Sequence, residues 1–158
     1  MAVQKFKLWH SMLGLTLLVI GEGALIRIAG SMMAPWYLCG IALIGVFVNM
    51  YVAMEVIEDI QNATRMLLAL SAVVAEFIIF FSFQYGYLLS VQRGSFPTLS
   101  SDPVSLALHS TMVFVFNPLN TPGTTLGQVL LLVNIAGALI LVMFILQNVS
   151  QLRRKSSE

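Results

Sequence analysis

The stretch Asp102–Ser150, DPVSLALHSTMVFVFNPLNTPGTTLGQVLLLVNIAGALILVMFILQNVS, decides how the chain folds. It falls into three pieces. An apolar run, Val104–Phe116, follows Asp102-Pro103, a knot of helix breakers occupies Asn117–Gly123, and a long apolar segment runs from about Leu126 to Asn148. The first run is too short to cross a bilayer, whose hydrocarbon core needs about 20 helical residues, and runs of about 10–14 suit re-entrant segments. Its start carries a helix cap, Asp102, with proline at the first helical position. Its end is marked by Asn117, because the residue before a proline is pushed out of the helical region. A half-membrane helix, an irregular stretch and a spanning helix in that order make a pore loop. Irregular backbone at membrane depth is tolerated only where protein or a water-filled cavity surrounds it.

Composition agrees with a membrane setting. The chain has 158 residues, 58% of them hydrophobic and 9% charged, whereas a soluble domain carries about 25% charged residues. A net charge of +1 gives no reason to expect a nucleic-acid partner. The single cysteine, Cys39, lies in an apolar stretch, so neither a disulfide framework nor a cysteine metal cluster is expected. His10 and His109 have no cysteine beside them, which leaves no ordinary metal site. No nucleophile, base and orienting group are gathered by sequence, so we expect neither an enzyme nor a cofactor. No internal repeat marks a secondary transporter.

Working outward from the pore loop, the sequence predicts an all-α membrane protein of four transmembrane helices, with a re-entrant pore helix between the third and fourth. The first span is expected over Trp9–Ile28 and the second over Trp36–Met54, opened by the interfacial pair Trp36-Tyr37. Glu55–Arg65 is polar, a continued or interfacial helix end, and Met66–Ser90 is the third span. The expected organisation is an N-terminal helical hairpin with its cytoplasmic loop (1–65), a pore-loop module (66–150) and a basic cytoplasmic tail (151–158). Lys5, Lys7, Arg65, Arg153, Arg154 and Lys155 fall on one side and Arg93 on the other, with Arg27 near the outer end of the first span. The positive-inside rule then places both termini in the cytoplasm and the pore loop on the outer side. The start of the chain, lysine-bearing but without a convincing cleavage site, leans toward a bacterial inner membrane.

Three charges fall inside expected spans: Glu22 and Arg27 in the first, Glu76 in the third. Such groups are expensive in lipid and face protein or water. Arg27 either snorkels outward or pairs with an acid, and Glu22 or Glu76 is the place to look for proton sensitivity. His109 is expected to be a packed polar residue of the short helix, with pH sensing as the sharper alternative.

Pro103–Ser150 resembles the pore module of the potassium-channel superfamily, with its pore helix, selectivity filter and inner helix. The resemblance rests on Leu106-Ala107-Leu108-His109-Ser110, where the family has a phrase ending in an aromatic residue and serine. It rests also on Thr121-Pro122-Gly123-Thr124-Thr125-Leu126-Gly127-Gln128, which is similar to the family's approach to its inner helix. Gly137 stands where many members carry a hinge glycine, next to the polar Asn134. The family's Thr-Val-Gly-Tyr-Gly filter is replaced here by Val115, Phe116, Asn117, Pro118, Leu119 and Asn120, followed by Thr121. The resemblance implies a homotetramer in the lipid bilayer that passes monovalent cations, with His109 and Ser110 on the pore helix. Asn117, Asn120 and Thr121 would then form uncharged polar rings around the axis. A loop lacking glycine between Phe116 and Thr121 does not easily alternate its carbonyls inward. The alternatives are therefore a conducting pore and a loop plugged by Phe114, Phe116 or Leu119. A plugged fold would serve as a non-conducting sensor or partner subunit, for instance in a bacterial defence system, that recruits a cytoplasmic protein.

Overall fold

The computed structural model describes residues 36–59 and 63–155, together with residues 13, 14, 16, 17, 20, 21 and 24. Four helices follow one another in chain order: α1 (Tyr37–Asp59), α2 (Ala63–Val91), α3 (Pro103–Phe114) and α4 (Thr125–Lys155). Among the described residues there is no strand, and those between 13 and 24 are helical as well. The rest of the expected first span, with Glu22 and Arg27, lies outside the described residues, as does His10.

Three of the helices are long and apolar enough to cross a membrane, over Tyr37–Glu58, Thr64–Val91 and Thr125–Asn148. Unbroken apolar runs take this form because a helix satisfies its backbone within itself. The hydroxyls on these runs are folded back onto the same ladder. Ser71 Oγ donates to Leu67 O at 2.8 Å and Ser82 Oγ to Ile78 O at 2.7 Å, and in the short α3 Thr111 Oγ1 donates to Ala107 O at 2.8 Å in the same way.

The polar stretch after Met54 continues the helix, α1 running through Glu55 and Glu58 to Asp59. The boundaries differ from expectation in two places. The basic tail is not separate from the inner helix, because α4 runs on through Gln151 to Lys155. The short helix stops at Phe114, two residues before Phe116. Sequence rules place breakers well and overshoot the last turn, where a cap can form before the breaker is reached.

α2 is the centre of the packing. α3 runs back along it, with Leu106 against Gly86, His109 against Tyr85 and Phe114 against Phe77, the last pair 5.8 Å between ring centroids. Ser110 Oγ donates to Ile78 O at 2.9 Å, a bond from one helix into the backbone of the next. Phe77 is the central residue of α2 (Ala63–Val91), so α3 ends roughly 20 Å below the C-terminal end of its neighbour at ~1.5 Å per residue. α4 also runs antiparallel to α2, with Asn134 at Tyr85 and Gly137 at Phe77. α1 closes the other side, Gly45 receiving the ring of Phe80 and Val46 lying against Gly137. The rings of Phe77 and Phe80 both lie against Phe81, tilted at 4.8 Å and edge-on at 5.3 Å between centroids, and the three form the middle of the core. Glycines at 45 and 137 are what let three helices close around these rings, since a side chain at either place would overlap a neighbour.

Candidate functional site

The start of α3 is fixed locally. Asp102 is the N-cap in extended backbone, its carboxylate accepts from Ser105 N at 2.9 Å, and Pro103 opens the helix. Asp102 is exposed, and the hydroxyl and then the amide of Ser105, with the hydroxyl of Ser100, hold its carboxyl well below the ordinary range, at about 2. A carboxylate at a helix N-terminus also meets the positive end of the helix dipole.

The end of α3 is closed by a Schellman motif. Val115 N donates to Thr111 O, Phe116 N to Val113 O at 2.9 Å and Asn117 N to Met112 O at 2.8 Å. The left-handed position of this motif belongs by preference to glycine, yet here it is filled by Phe116, with φ of 60°. The consequence for charge is direct. The carbonyls of Thr111, Met112 and Val113, at the negative end of the helix dipole, each accept one of these three amides.

Beyond the motif the chain is irregular and open. Val115, Phe116, Asn117, Pro118, Leu119 and Thr121 are all exposed, and no backbone–backbone hydrogen bond joins residues 118–122 to the rest of the described structure. The chain then climbs back to the loop that follows α2. Thr98 Oγ1 donates to Asn120 Oδ1 at 2.8 Å, Gly123 N donates to Ser95 O at 2.7 Å, and Thr124 Oγ1 donates to Ser95 Oγ at 3.3 Å. Thr124 in turn caps α4, its hydroxyl accepting from Gly127 N at 3.2 Å. The excursion from Leu99 to Leu119 therefore leaves and rejoins the same end of the bundle.

His109 is the hinge pin of this return. Its ring is buried, edge-on to Tyr85 at 4.5 Å and to Phe96 at 5.1 Å. Asn120 Nδ2 lies 3.2 Å from its Nδ1. The bond from Thr98 fixes Asn120 Oδ1 on the other side, so the amide group has only protons to give to the ring, and Nδ1 accepts. Asn120 is thereby turned inward, away from the exposed edge where Asn117 and Thr121 remain.

The other expected site residues are dispersed. Asn134 is buried, donating to the Tyr85 hydroxyl at 3.0 Å. Gly137 sits in an unbroken helix with Val46 and Phe77 against its bare face. Glu76 lies at mid-height of α2, where Thr16 Oγ1 donates to its Oε1 at 3.0 Å and its Oε2 has no partner among the described residues. Among the described residues no three His, Cys, Asp or Glu side chains come together. Sequence reasoning missed Tyr85, Gln84, Thr98 and Gly45. Gln84-Tyr85 was the available signal, two polar groups inside an apolar run. Compared with protein-family models, curated proteins and solved structures, the chain matches none.

Proposed function

We propose that the chain is an integral membrane protein whose α3 and following loop form a re-entrant pore loop, assembled around a common axis as an ion-channel-like homo-oligomer. One observation carries this reading. Residues 118–122 are non-helical and make no backbone–backbone hydrogen bond among the described residues, Pro118, Leu119 and Thr121 are exposed, and the stretch follows closely on Phe114, which lies at the level of Phe77, the middle of α2. Half a bilayer core is about 15 Å, so the end of α3 lies near its midplane if α2 spans it. Backbone of that kind cannot face lipid, where each unmet group costs several kcal/mol. It requires water, another copy of the chain, or both, and loops meeting at an axis supply both.

The tetramer and the monovalent cation follow from the resemblance to potassium channels. Asn117 and Thr121 are the polar side chains offered to the axis, and Asn120 holds the loop from behind. Cation preference rests on neutral polar rings and free loop carbonyls more than on the capped end of α3. The exposed Val115, Phe116 and Leu119 favour a second reading, in which these apolar groups meet at the axis and keep it dry. The chain is then a non-conducting subunit that serves a cytoplasmic partner.

Flux of potassium, sodium and chloride into liposomes containing the purified protein separates the two. Cation flux without chloride flux supports the pore. Silence in the native protein with flux after Phe116→Gly or Leu119→Asn means a plugged loop. Silence in all three leaves the partner-subunit reading.

A further inference from the structure

One ionisable side chain lies deep in a spanning helix and takes no part in the pore loop. The apolar stretch of α2 runs over Thr64–Val91, and Glu76 stands near its middle. At ~1.5 Å per residue it is roughly 20 Å from either end. The positions three and four residues away along the helix are Ala72, Val73, Ile79 and Phe80, all apolar. No cation of α2 therefore stands beside the carboxyl.

The neighbouring helices supply none either. Thr16 Oγ1 donates to Glu76 Oε1 at 3.0 Å, and Oε2 is closed off from solvent. Among the described residues no charged group acts on this carboxyl. The acids of α1, Glu55, Glu58 and Asp59, all follow Met54, and Tyr51 is bonded to Glu55. His109 of α3 is turned to Tyr85 and Phe96, and Arg153, Arg154 and Lys155 of α4 occupy its last turn. Arg65 is at the start of α2, three turns away, and Glu22 and Arg27 lie outside the described residues. An ionised group at mid-membrane is expensive unless it is paired, and a carboxylate lacking a cation takes up a proton instead. The neutral acid is served by what is present, because a hydroxyl donates well to its carbonyl oxygen.

We propose that Glu76 is a proton-binding site within the membrane, a carboxylic acid that keeps its proton at neutral pH while Thr16 donates to its carbonyl oxygen. The proton takes the place of the cation that the helices do not supply. The bond from Thr16 ties the helical segment around residue 16 to the middle of α2. Release of the proton leaves a bare carboxylate at this depth, so deprotonation and entry of water go together. The site requires that α2 span the bilayer and is indifferent to conduction, so the test below and the flux measurement fail separately.

Dicyclohexylcarbodiimide, an apolar reagent that enters the bilayer, tests it on the full chain in lipid nanodiscs, read by peptide mass spectrometry. The acid proton moves to a nitrogen of the reagent and the carboxylate oxygen adds to its central carbon. The O-acylisourea so formed rearranges to a stable N-acylurea, with nothing leaving. Glu76 should be labelled at neutral pH several-fold faster than the exposed carboxyls of Glu58 and Asp102. Its rate should hold from about pH 5 to about pH 7, whereas a glutamate titrating near 4.3 loses most of its acid form over that range. Glu76→Gln, whose amide oxygen still accepts from Thr16, should remove the label. Thr16→Val uncovers Oε1 and should speed labelling several-fold, and Thr16→Ser, which keeps the hydroxyl, should restore the native rate. Labelling of Glu76 no faster than that of Glu58, or a rate that falls steeply between those two pH values, overturns the proposal. An unchanged rate in Thr16→Val overturns the part given to Thr16.

Discussion

Replacing Gly137 by alanine should weaken the fold, although an alanine in an open helix position strengthens it. A Cβ at this place in α4 would stand 2.7 Å from Val46 Cγ2 of α1, and 3.1 and 3.3 Å from Cζ and Cε2 of Phe77 of α2. Carbon atoms rest at about 3.5–4.0 Å from one another, so α1 must retreat by roughly 1 Å. Overpacking of this kind costs about 1–3 kcal/mol, against a gain of about 1 kcal/mol from exchanging glycine for alanine in a helix. The expected net loss is of order 1 kcal/mol. The partner variant Val46→Ala removes Cγ2, and in that background Gly137→Ala should become neutral or favourable, a coupling of about 1–2 kcal/mol. Reversible unfolding of all four proteins in detergent micelles, followed by circular dichroism, measures both quantities. If Gly137→Ala stabilises the native chain, or acts identically in both backgrounds, Gly137 is not a packing residue and the α1–α4 contact drawn here is wrong.

Tyr85→Phe keeps the ring but strands Asn134 Nδ2, and should cost about 1–3 kcal/mol in the same unfolding experiment. Asn134→Leu in that background should restore part of the loss. Phe116→Gly removes a left-handed strain worth about 1–2 kcal/mol, and glycine's own backbone entropy returns roughly half of it. It should therefore slow amide exchange at Asn117, whose hydrogen bond closes the motif, and faster exchange there would argue against strain at Phe116. Asp102 carries the pH dependence of the α3 start. Its carboxyl is depressed from the ordinary 3.8 to about 2, so the cap is complete above about pH 4 and is lost as pH falls toward 2. The Ser105 amide should show exchange protection that declines over that window, and Asp102→Ala should abolish the decline.

Much of α3 was legible before the structure. Asp102-Pro103 announces a cap and first turn, and both form as the local rules demand, because they depend on neighbours within three residues. Its end was less legible. Pro118 correctly marks a stop, yet the helix closes at Phe114 through a motif that places a phenylalanine where glycine is preferred. Local propensity does not foresee that choice, since a left-handed position disfavours any residue with a Cβ. Asn120 shows the same limit. It was expected at the axis beside Asn117, and it turns inward because His109 and Thr98, 11 and 22 residues away, take both ends of its amide. Gly137, expected as a hinge next to Asn134, lies in a helix that continues unbroken, its small size matched to Val46 and Phe77.

The sequence by itself determined which segments are long apolar helices, that α3 is too short to join them, and where the breakers interrupt. These are properties of composition and of residues within a turn of one another, and hydrophobic length acts through nothing else. Only the tertiary structure decided how deep α3 reaches along α2, which loop groups stay exposed, and which polar groups meet at Tyr85. Those outcomes depend on residues dozens of positions apart arriving at one height in the bundle, and the spacing of apolar residues along a single helix carries no record of its neighbour's register.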